Sequence, residues 1–83
     1  MEYIISQHAS EQMKKRGISN ETVKNILSQP YQVINKVNYT IYQSIREENN
    51  KRYLYRVFVN TNKRPNAVIT VYKTSKIHKY HED

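Results

Sequence analysis

The sequence predicts an α+β domain of the order β-α-α-β-β-β(-β), with two short helices packed on one face of an antiparallel sheet. Three observations predict it. Two capped helical segments come first, within residues 6–28. Period-two alternation takes over after Pro30 and continues to Lys73. The strands then follow one another through polar turns, the pattern of an antiparallel meander. At 83 residues the chain is a single domain, 1–83.

Tyr3-Ile4-Ile5 is a short strand. Ser6 is an N-cap, and His8 to Arg16 form a helix whose Ala9 and Met13, four apart, face the core. Gly17, the only glycine, stands where a helix end wants positive φ. Ser19 is a second N-cap for a helix over Asn20 to Ser28, with Val23, Ile26 and Leu27 on its inner face. Pro30 forbids its continuation.

Tyr31 to Ile34 is a weak strand, and Asn35 to Asn38 a turn. Tyr39 to Arg46 alternates well, with Tyr39, Ile41, Gln43 and Ile45 on one side. Glu48-Asn49-Asn50-Lys51 signals a hairpin, because Asn tolerates left-handed φ. Arg52 to Val59 is a strong strand, Asn60 to Asn66 a polar loop, and Ala67 to Lys73 the last strong strand. Thr74 to Asp83 is a basic tail with room for a turn of helix. Helices clustered before the strands cover one sheet face and leave the other open.

Composition limits the function classes. Fourteen Lys and Arg against seven acids give a formal charge of +7. Residues 1–42 hold five of these bases and three acids; residues 43–83 hold nine and four. Such a surplus favours encounter with a polyanion, and RNA fits best. A membrane surface is not supported, since no strongly apolar amphipathic helix is present. The absence of cysteine excludes disulfides and thiolate chemistry. No signal segment or membrane span is visible, so the cytoplasm is the expected compartment. Eight tyrosines against one Phe and no Trp supply much of the apolar area, as sheet filler or as surfaces on which bases stack.

Several residues are candidates for chemistry. His8, Gln12 and Arg16 form one polar stripe along the first helix, able to meet phosphate; the plainer alternative is a locally packed His8 and a solvated Arg16 near the favourable helix C-terminus. Arg56 stands between Leu54 and Phe58 on one side of a strand, where an unpaired charge would be costly. Either Glu47 or Glu48 pairs with it, or it faces the open side toward an anionic ligand. In the last strand Val68, Thr70 and Tyr72 share a side that Lys76 would continue. The run from Tyr72 through Lys73, Thr74, Ser75, Lys76, His78, Lys79 and Tyr80 interleaves basic and aromatic residues, as RNA-binding segments do.

No cofactor is expected. His78 and His81 are too few for a closed metal site, and one glycine cannot build a phosphate-cradling loop. Phosphodiester chemistry without a metal remains. It needs a base, an acid and a cation, and His8, Tyr72, Arg56, Lys76 and Lys79 are of the right types.

Ile5 to Ser19, with His8 and the closing Arg16-Gly17-Ile18-Ser19, resembles the opening of domain-of-unknown-function family 4258. Tyr53 to Val59 and Ile69 to Lys76 also resemble its strand motifs, with a tail at Lys76 to Tyr80. The likeness covers nearly the whole chain. That family is similar in layout to small toxins of the RelE/ParE and BrnT kind. The resemblance implies an mRNA-cleaving site on the sheet face and an acidic antitoxin encoded nearby. It implies that Arg56 stabilises phosphate, that Tyr72, Lys76 and Tyr80 act as acid–base or positioning groups, and that His8 and Arg16 flank the site.

The expected function is therefore a toxin-like, metal-independent endoribonuclease. Its catalytic residues would be Arg56, Tyr72, Lys76 and His8. Its RNA contacts would be Arg16, Lys73, Thr74, Ser75, Lys79 and Tyr80, toward RNA that includes ribosome-bound mRNA. The alternatives are a non-catalytic RNA- or protein-binding module and a toxin acting on a protein such as a topoisomerase.

Overall fold

The computed structural model describes residues 1–80. Residues 81–83 and the side chain of Tyr80 lie outside the described residues, and with them the roles expected of the Tyr80 ring and of His81. The elements are β1 (Tyr3–Ile5), α1 (Gln7–Arg16), α2 (Asn20–Ser28), β2 (Gln32–Asn35), β3 (Thr40–Glu48), β4 (Lys51–Asn60), β5 (Asn66–Thr74) and a last helical turn, α3 (Ile77–Tyr80). The class and element order are those the sequence predicts. The strands form one sheet in the order β1-β5-β4-β3-β2. β2 to β5 are an antiparallel meander, and β1 lies parallel beside β5. No helix among the described residues is long and apolar enough to cross a membrane.

Local chemistry explains the helix bounds. The Ser6 hydroxyl accepts the Ala9 N–H at 3.1 Å, and Ser19 accepts the Thr22 N–H at 3.1 Å, so each helix start is capped. α1 ends at Gly17, whose φ of +67° is the left-handed conformation. The Gly17 N–H donates to Lys14 C=O and the Ile18 N–H to Met13 C=O at 2.8 Å. This is the Schellman arrangement, and buried Met13 and Ile18 supply its apolar contact. Between β3 and β4, Asn49 and Asn50 both take positive φ, 52° and 65°, as a two-residue hairpin turn with right-handed strand twist requires.

One sheet face carries the helices. Ala9, Met13, Ile18, Val23, Ile26 and Leu27 pack there on Tyr55, Val57, Val59, Val68 and Val71. Strict alternation would put Val68 with Thr70 and Tyr72. The β4–β5 ladder slips instead: Phe58 faces Thr70 but Val59 faces Val68. This bulge turns Val68 to the helices with Val71, while Thr70 and Tyr72 keep to the far face.

The far face is less open than expected. Ile34, Ile41, Gln43, Leu54 and Arg56 are all buried on it. The exposed part lies around this buried middle, where Tyr39, Phe58 and Tyr72 are half-buried.

Candidate functional site

The far face is organised around one rung that crosses four strands. Gln32 of β2 is opposite Gln43 of β3, Gln43 is opposite Arg56 of β4, and Arg56 is opposite Tyr72 of β5. The side chains are hydrogen-bonded in the same sequence. Gln43 Nε2 donates to Gln32 Oε1 at 2.6 Å. Arg56 Nε donates to Gln43 Oε1 at 2.9 Å, and its terminal N–H donates to the Tyr72 hydroxyl oxygen at 2.7 Å.

A buried guanidinium needs such partners, because its desolvation is costly. Arg56 is 9% exposed and Gln43 fully buried. The glutamate pairing open to Arg56 is overturned: Glu48 lies on the helix side with Lys73, and Glu47, though on the face of Arg56, stands opposite Arg52, four residues along β3 from Gln43. Rings complete the surroundings. The guanidinium carbon stands 5.2 Å from the Phe58 centroid and 5.7 Å from that of Tyr72. Both distances are within cation–π range.

α1 brings a second cation to the same ring. The chain leaves β1 with the Ser6 N–H on the Val68 carbonyl at 3.0 Å, so the helix starts beside β5. At its far end Arg16 stands 5.9 Å from the Tyr72 centroid, and its Nε donates to Gln12 at 3.3 Å. Two guanidiniums thus stand within 6 Å of one phenol ring. His8 belongs to the same stripe but is exposed. Eight residues earlier in the helix, it is about 12 Å back along the axis.

The remaining candidates are dispersed. Lys76 is exposed beyond β5, its backbone N–H on the Thr74 hydroxyl at 3.1 Å. Thr74 is half-buried opposite Leu54, and Ser75 and Lys79 are exposed. Lys73 points to the opposite face from Tyr72. There it pairs with Glu48 at 3.1 Å and lies 4.9 Å from the Tyr53 ring. The Tyr55 hydroxyl also donates to Glu48.

The titration of that helix-side cluster follows from its contacts. The Tyr55 and Lys73 hydrogen bonds hold the Glu48 carboxyl below its ordinary range. Burial, then the Glu48 contact, pushes the Tyr55 phenol up. The Glu48 hydrogen bond raises Lys73. Among the described residues no three His, Asp or Glu side chains gather to hold a metal ion.

The family model described as Domain of unknown function (DUF4258) matches residues 5–73. The chain belongs to this family. The DUF4258 region therefore contains the whole Gln32–Gln43–Arg56–Tyr72 rung and Arg16, whereas Lys76, Lys79 and Tyr80 fall beyond it. No curated protein and no solved structure matches the chain.

Gln43, Gln32, Phe58 and Tyr39 complete the site but are not singled out by residue type. A signal for Gln43 does exist. It is a polar residue in the apolar phase of β3, and a two-residue turn at Asn49-Asn50 pairs it with Arg56.

Proposed function

We propose that the protein binds RNA on the sheet face turned away from α1 and α2 and cleaves it there, as a toxin-like endoribonuclease restrained by an acidic antitoxin. The observation that carries this reading is the Arg56–Tyr72 pair, a buried guanidinium 2.7 Å from a phenol oxygen, with Arg16 over the same ring. In the reaction the ribose 2′-oxygen attacks phosphorus and loses its proton. The P–O5′ bond breaks, and the 5′-oxygen gains a proton. The products are a 2′,3′-cyclic phosphate and a 5′-hydroxyl end.

Arg56 and Arg16 supply positive charge for the phosphorane oxygens. Tyr72, whose oxygen accepts an N–H from Arg56, is the candidate to protonate the leaving oxygen. Lys76, two residues past β5, is the candidate for the other proton transfer. The neighbouring Gln43 fixes the guanidinium so that little reorganisation is needed at the moment of charge development.

The test is induction of the chain alone from a tightly repressed promoter, with mRNA ends mapped. Growth arrest with new 5′-hydroxyl ends is expected, relieved by Arg56→Ala. Intact mRNA, or an Arg56→Ala chain that cuts like its parent, sinks the reading.

One observation favours a second reading, a non-catalytic RNA-binding module. His8, the plainest base in the sequence, is exposed and about 12 Å along the helix from Arg16. In that case the purified protein binds RNA with a steep salt dependence and returns it whole.

A further inference from the structure

We propose that Tyr39, Phe58 and Tyr72 form a stacking platform for successive unpaired bases, so that the ligand is single-stranded RNA laid diagonally from the residue before β3 over β4 to β5. This rests on the RNA reading above and adds what kind of RNA is bound and which path it takes over the sheet.

The geometry is a continuous row. The Tyr39 and Phe58 ring centroids are 5.6 Å apart at an interplanar angle of 36°. Those of Phe58 and Tyr72 are 5.9 Å apart at 25°. All three residues are half-buried, with part of each still open to solvent on the face away from the helices. The row does not follow a rung. Phe58 is opposite Ile41 and Thr70, and Tyr72 is opposite Arg56, so it runs obliquely over the strands.

Charge marks one end of the row. Arg16 and Arg56 both stand over the Tyr72 ring, at 5.9 and 5.7 Å, and Arg56 also lies 5.2 Å from Phe58. A polymer with a phosphate between each pair of bases matches that combination: rings meet rings, and a phosphodiester meets the two guanidiniums. Duplex RNA does not match it. Its bases are stacked on one another, and their faces are closed to protein rings. Base faces are common to all four nucleotides, so the row selects for strandedness more than for sequence.

The experiment uses the whole chain and 2′-O-methyl octanucleotides, which lack the attacking hydroxyl and therefore report binding without cleavage. Affinity is read by fluorescence anisotropy over a range of salt. The parent protein should bind the single strand more tightly than a duplex of the same sequence. Three consecutive abasic positions should weaken binding at least about ten-fold. Phe58→Leu and, separately, Tyr39→Leu should each weaken single-strand binding several-fold, with the slope of log Kd against log salt unchanged because phosphate contacts persist.

Equal affinity for duplex and single strand, or no effect of abasic positions on the parent protein, overturns the platform and leaves the RNA reading standing. The abasic series needs no variant to fold. Failure of the parent to bind any oligonucleotide overturns both.

Discussion

Arg56 and Tyr72 face each other across the β4–β5 ladder, and the guanidinium donates to the phenol oxygen over 2.7 Å. This contact fixes a buried charge under a half-exposed ring. Gln43 holds the other side of the guanidinium, and Gln32 holds Gln43. The cation is thereby placed by the sheet register and not by a flexible loop. A rigid element gives a binding group its precision.

Gln43→Glu separates charge from geometry. The carboxylate is nearly isosteric and still accepts the Arg56 Nε–H; it can no longer donate to Gln32, whose side-chain amide must turn to donate instead, and with that turn the fold should survive with stability within about 1 kcal/mol. The new negative charge cancels the guanidinium locally, and affinity for single-stranded RNA should drop about ten-fold or more. Gln43→Leu instead removes the acceptor and should cost about 1–3 kcal/mol in urea unfolding.

Arg16→Ala should leave stability within about 0.5 kcal/mol, because the side chain is exposed at a helix end. Its expected effect is on RNA. Binding should weaken, and the slope of log Kd against log salt should become shallower by about 0.7, the change for one phosphate contact on a single strand. An unchanged slope would place the phosphates elsewhere.

Gly17→Ala should destabilise the chain by about 1 kcal/mol. A Cβ there meets nothing within 4 Å, so the cost is the backbone strain of φ +67° alone. Thermal unfolding reads it directly. An Ala variant as stable as the parent would mean that the Schellman turn is not strained by a side chain.

The helix-side cluster makes stability depend on pH at both ends. Glu48 is depressed chiefly by the Tyr55 hydrogen bond, so its contribution is present above about pH 4.3, the ordinary value for Glu, and fades as pH falls through its lower folded value. Tyr55 is raised first by burial and Lys73 first by the Glu48 hydrogen bond. Their contributions are present below about pH 10 and fade as pH rises through their folded values. Urea midpoints across pH should show a plateau with a fall on each side. Glu48→Gln should flatten the acid fall and reduce the alkaline one. A parent and variant with parallel curves would contradict this.

Much of the fold is legible in short-range chemistry. Ser6 and Ser19 announce the helix starts, Gly17 announces a left-handed end, and Asn49-Asn50 announces the hairpin. Each acts within a few residues, so residue type suffices. β1 beside β5 is not legible, since a three-residue strand carries no sign of a partner some sixty residues away. The Val68 inversion is hidden too, because the bulge leaves the alternation of β5 looking intact.

The site divides along the same line. Arg56 stands out as a charge between Leu54 and Phe58, and Tyr72 lies in phase with Thr70, so both are readable from strand periodicity. Arg16 over Tyr72 depends on where α1 lies along β5, and the separation of Lys73 from Tyr72 follows from alternation once the strand is known to continue through Thr74. From the sequence Glu48 is a candidate partner of Arg56, with Glu47. The register decides for Lys73, because Glu48 and Lys73 both fall on the helix side.

The most direct test is a nuclear magnetic resonance titration with a 2′-O-methyl octanucleotide, following the Arg side-chain Nε–H signals and the tyrosine rings. The Arg56 Nε–H and the Tyr72 ring should shift most, together with Arg16 and Tyr39. Shifts confined to the Tyr53 and Tyr55 rings, with Arg56 and Tyr72 unmoved, would place RNA on the helix-side cluster and contradict the account.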